Sequence, residues 1–95
     1  MNQLIIIFEF LNENFEKTVT FKKMLRDYGS FAFITSNSCL IWTESSVVNV
    51  RDYLMTGMNV GDKLFISDIS APAAWSGGLN KEVATYIINN LKVKK

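Results

Sequence analysis

The sequence predicts an α+β domain built on one four-stranded sheet, and three observations carry that prediction. Four short runs rich in β-branched and aromatic residues, LIIIFEFL, FAFIT, CLIWT and KLFISDIS, read as strands. Three other segments repeat apolar residues at three- and four-residue intervals, the period of a helix with one buried stripe. With 48% hydrophobic and 20% charged residues over 95 positions, the chain makes one packed core, a single domain over residues 1–95.

The first run, Leu4 to Leu11, sets Leu4, Ile6, Phe8 and Phe10 on one face and Ile5 and Ile7 on the other. Both faces then require cover, so this strand belongs in the middle of the sheet. Asn12, Glu13 and Asn14 break the pattern and supply caps for a helix from about Phe15 to Tyr28. Its stripe is Phe21, Met24, Leu25 and Tyr28, and Gly29 ends it. FAFIT and CLIWT are two strands joined across Ser36, Asn37 and Ser38.

Ser45 or Ser46 caps a second helix, with Val47, Val50, Leu54 and Met58 inward and Gly57 and Gly61 closing it. Asp62 leads into KLFISDIS, the fourth strand. Pro72 and the pair Gly77-Gly78 make the next loop irregular. Leu79, Val83, Ala84, Ile87, Ile88 and Leu91 form the last helical stripe, capped by Asn80.

The order is therefore β-α-β-β-α-β with an extra C-terminal helix, which matches the ferredoxin-like split βαβ arrangement. Right-handed crossovers put the first two helices on one sheet face. The other face is left for the last helix or for a second copy of the chain. A homodimer or higher oligomer is expected, because one helix covers only part of four strands.

A net charge of +1 with dispersed lysines and arginines argues against a role on long nucleic acid. The two small basic groups, Lys22, Lys23 and Arg26, and Lys92, Lys94 and Lys95, read as a solvated helix face and a frayed tail. Cys39 is the only cysteine; in a strand pattern and with no histidine in the chain, it reads as a packed thiol in a reducing compartment. The apolar run is too short to cross a bilayer and no cleavable leader is visible, so a cytoplasmic protein is expected.

Acid–base machinery is sparse. Asp27, Asp52, Asp62 and Asp68 have no metal-ligand spacing, Asp68 reads either as a site group or as a solvated strand end, and no cofactor is expected. The suggestive set is Trp42, Arg51, Tyr53 and Trp75 with Ser76, Gly77 and Gly78. Aromatic faces stack on nucleobases, arginine pairs with phosphate, and a glycine-led helix start offers backbone N–H groups. Against that, Trp42 also reads as core or interface, and Arg51 as a partner of Asp52 or Glu44.

YGSFAFITSN, IWTESSVVNVRDYL, DKLFISDIS and AAWSGG together resemble the small SinR-like family. Gly29, Ser30, Trp42, Arg51, Asp52, Asp62 and Trp75 stand on its motif positions, and the likeness covers most of the chain. That family is in turn similar to the Cas-two-type CRISPR-associated proteins, ferredoxin-like dimers described as metal-dependent nucleases or as structural parts of integration machinery. The resemblance implies the fold, and an acid at the end of strand one where two copies hold a metal across the dimer axis. Here that acid is Glu9, between Phe8 and Phe10. In such a fold it adjoins Lys63, and an ion pair at the sheet edge is expected ahead of metal ligation.

The expected function is that of a non-catalytic, oligomeric protein binding or sequestering a small nucleotide-type ligand. One version is a phage anti-defence protein that removes a nucleotide immune signal in the host cytoplasm. The alternatives are a divalent-metal nuclease using Glu9 from two subunits and a structural dimer module in a larger complex.

Overall fold

The computed structural model describes residues 1–12 and 14–93. The expected break at Glu13 and the basic tail at Lys94 and Lys95 lie outside the described residues. The chain is a small mixed α+β domain: β1 (Asn2–Glu9), α1 (Phe15–Arg26), β2 (Phe31–Thr35), β3 (Ser38–Thr43), α2 (Val47–Met55), β4 (Lys63–Asp68) and α3 (Lys81–Asn90). The sheet is antiparallel in the order β2-β3-β1-β4.

The central place of β1 follows from its two apolar faces. Its first face packs Leu4, Ile6 and Phe8 against Phe21 and Leu25 of α1 and Val50 and Leu54 of α2. Phe8 and Phe10 both touch the Phe21 ring, at 4.7 and 5.3 Å between centroids. Each such buried side chain contributes roughly 1.5–3 kcal/mol. Cys39 sits in this layer with no exposure, and burial pushes its thiol up to about 12, so it is packing rather than nucleophile.

Caps fall where short polar side chains precede a helix. Asn14 accepts from the Lys17 amide, Ser46 from Asn49 and Asn80 from Glu82. Several boundaries differ from expectation: β1 starts at Asn2, α1 ends at Arg26 before Tyr28, Ser38 belongs to β3, β4 ends at Asp68, and α3 leaves Leu79 and Leu91 outside it and Ile88 exposed. Two further ends have a visible cause. β1 stops at Glu9, because its last ladder partner is Lys63 and the next free amide, that of Leu11, donates to Asp62 Oδ1 at 2.9 Å. The α2 helix ends at Met55 under a Thr56 Oγ1 bond to the Tyr53 carbonyl, and Met58 reaches the core from the loop.

Asp62 organises that loop. Besides Leu11, it accepts from the Asn59 amide at 2.8 Å and pairs with Lys17, joining the end of β1, the start of α1 and the entry to β4. The Asn59 amide foremost, then the Lys17 ammonium and the Leu11 amide, hold its carboxyl down to about 2. Gly61 beside it has φ +94°, a left-handed conformation that would strain any residue with a Cβ.

The second face is covered in part. Val83 and Ile87 of α3 bury Ala32 and Leu40, with Ile5, Ile34 and Leu79 packed around them. Gln3 of β1 fastens the end of α3: its Nε2 donates to the Ile69 and Lys92 carbonyls, each at 3.2 Å, and its Oε1 accepts from the Lys92 amide. Farther along β1, Ile7 and its ladder partner Phe65 stay 46% and 59% exposed. Among the described residues no helix is long and apolar enough to cross a membrane.

Candidate functional site

On the second face a cleft of about 560 Å³ opens between the sheet, α3 and the loop that follows β4. Its floor is Ile5 and Leu40 of the sheet with Ile34 of β2, and Leu79 and Ile87 close one side. The Ala71–Gly78 loop forms the other wall, carrying Trp75, which is 43% exposed. An open, mostly apolar cleft with one indole at its rim takes a flat, weakly polar group by stacking and contact area.

The sequence-predicted residues divide into three places. Trp75, Ser76 and Gly78 line this cleft, and Gly77 stands in the same loop with open space around it. The glycines do not lead directly into α3. The Ser76 carbonyl accepts from the Leu79 amide at 3.1 Å, and Asn80 Oδ1 takes the first-turn amide of Glu82 at 2.7 Å. That amide is therefore already satisfied within the chain.

Trp42 lies elsewhere. It pairs with Gln3 across the ladder and packs near Tyr86, Asn90 and Leu91 around a gap of about 10 Å³, room for no more than one water. Arg51 and Tyr53 lie on α2, whose Val50 and Leu54 pack on the first sheet face, so the sheet separates them from Trp75. Arg51 donates from Nε and Nη2 to Asp52 Oδ1 at 3.0 and 2.9 Å, one of the two pairings expected for it. The Tyr53 ring stands against Tyr28.

Glu9 pairs with Lys63 at 3.6 Å, with both side chains largely in solvent, as expected for the sheet edge. Among the described residues no three histidine, cysteine or carboxylate side chains gather as a metal donor set. Asp68 is solvent-facing at the end of β4.

Sequence reasoning missed Ile34, Leu79 and the Ala73-Ala74 step as cleft walls. Their signal is the run of small residues around Trp75: Ala73 and Ala74 before it and Ser76, Gly77 and Gly78 after it leave the indole without sequence neighbours large enough to bury it. It also missed the Asp62 hub, whose signal is an aspartate placed three residues after Asn59, the spacing of a side chain that closes its own loop. No protein-family model matches the chain, and no curated protein matches it.

Proposed function

We propose that this chain is a non-catalytic binding protein whose second-face cleft takes the planar ring of a small nucleotide-type ligand, stacked on Trp75. The supporting observation is the open cleft of about 560 Å³ with Trp75 at its rim and apolar strand residues as its floor. Base–aromatic stacking contributes about 1–3 kcal/mol and needs no basic surface. The residues lining the cleft include no lysine or arginine. The ring is thus the recognised part, and any phosphate points to solvent or to another copy. Arg51, across the sheet, does not serve this ligand within one subunit.

Oligomerisation belongs to the same reading. Ile7 and Phe65 form an exposed apolar pair on the face that holds the cleft, and a second copy laid on them would shield both. The strand order β2-β3-β1-β4, with α1 and α2 as the crossovers, supports a ferredoxin-like reading, and with it the likeness to SinR-like and Cas-two-type proteins. A phage anti-defence role, sequestering a nucleotide signal in the cytoplasm, is the concrete version of the proposal.

Isothermal titration against cyclic and linear nucleotides and the parent nucleosides tests it. Binding by at least one of them is expected, lost in Trp75→Ala and kept in Arg51→Ala. No heat from any compound, or equal loss in both variants, contradicts the proposal.

A further inference from the structure

On the side of the sheet away from the Trp75 cleft, α1 and α2 leave a notch of about 330 Å³. Met24, Asp27 and Tyr28 contribute one wall, and Ser45, Asn49 and Tyr53 the other. The Tyr28 and Tyr53 rings stand edge-to-face at 83° with centroids 5.9 Å apart, an arrangement that leaves the face of the edge-on ring beside the notch. Burial, and secondarily the neighbouring Tyr53, raise the Tyr28 phenol above its ordinary value, so that ring is neutral at physiological pH.

The notch carries one negative charge and no positive one. Asp27 makes no ion pair among the described residues. The nearest guanidiniums in sequence are turned elsewhere: Arg26 lies over the Phe33 ring at 5.5 Å, and Arg51 is bonded to Asp52. A tyrosine face beside a carboxylate that makes no ion pair among the described residues suits a cation. The Met24 thioether adds apolar surface, which favours a cation carrying methyl groups over a small hydrated ion. We propose that the Tyr28–Tyr53–Asp27 notch is a binding site for a quaternary or alkylated ammonium group.

The cation sits against the open tyrosine face of the edge-to-face pair, and Asp27 balances its charge from the wall. This site is independent of the cleft beneath Trp75 and needs no second subunit.

The test uses the whole chain and two probes of the same shape, choline and its uncharged carbon isostere 3,3-dimethylbutan-1-ol, followed by proton NMR. Choline is expected to bind saturably, moving the Tyr28 and Tyr53 ring resonances, while the isostere does not. Tyr53→Leu is expected to weaken choline binding about fivefold or more, and Tyr53→Phe to hold it within about twofold. Asp27→Asn is expected to weaken it by about twofold to fivefold. Equal binding of the two probes, tyrosine resonances that stay still, or an unchanged affinity in Tyr53→Leu overturns the proposal. The two-probe comparison on the unaltered chain stands whatever the variants do to folding. Sedimentation with phosphatidylcholine vesicles then assigns the group to a lipid headgroup if the protein pellets, and to a free amine if it stays in solution.

Discussion

The two faces of the sheet are made by alternate residues of the same strands and end in different states. On the first, Leu4, Ile6 and Phe8 meet two helices and vanish from solvent. On the second, Ile5 is covered in part by α3, and Ile7, two residues on, is half exposed beside Phe65. Helix count explains the difference: α1 and α2 span the first face, and α3 alone lies on the second. One face holds the fold together, and the other keeps an open cleft and an apolar pair available for binding.

The contrast is broken most sharply by truncating one residue on each face. Phe8→Ala, inside the Phe8–Phe10–Phe21 cluster, is expected to cost about 3–5 kcal/mol in urea unfolding. Ile7→Ala is expected to cost less than about 1 kcal/mol. Similar values for the two would erase the distinction between the faces.

Gln3→Leu comes next, with an expected loss of about 1–3 kcal/mol, since it strands the Lys92 amide and removes a donor from the Ile69 and Lys92 carbonyls, the latter keeping the Ala71 amide. Amide hydrogen exchange would show the loss in α3, while the amides of α1 and α2 keep their protection. A uniform loss across the chain would mean that α3 is not a separately fastened layer.

Asp62 supplies a pH-dependent effect on the first-face side. Its folded value of about 2 lies below its ordinary 3.8, so its contribution is complete above pH 4 and is lost as pH falls through 2. Acid unfolding of the native chain should therefore be steeper over that window than that of Asp62→Asn, which lacks the titrating group. Matching profiles would remove Asp62 as the loop's organiser. The smallest expected effect on stability is that of Phe65→Ser, within about 0.5 kcal/mol, but it should weaken any self-association seen by sedimentation equilibrium.

Periodicity made the fold readable. The run LIIIFEFL, apolar on both faces, marked β1 as central, and the stripes Phe21/Leu25, Val50/Leu54 and Val83/Ile87 marked three helices, because burial sets side-chain spacing. The site was harder to read. Trp42 and Trp75 are chemically alike, and only tertiary placement packs one beside Gln3 and leaves the other at a cleft rim. Arg51 and Tyr53 joined the expected set by residue type, while the sheet that separates them from Trp75 is a property of topology, which no local pattern records. The Glu9–Lys63 pair was legible because strand adjacency alone specifies it.

The most direct test of the cleft is a ¹H–¹⁵N NMR titration with the best-binding nucleotide from the panel. The account predicts shifts at the Trp75 indole and at Ile5, Leu40 and Leu79, with Arg51 and the rest of α2 unmoved. Shifts confined to α1 and α2, or none at Trp75, would contradict it.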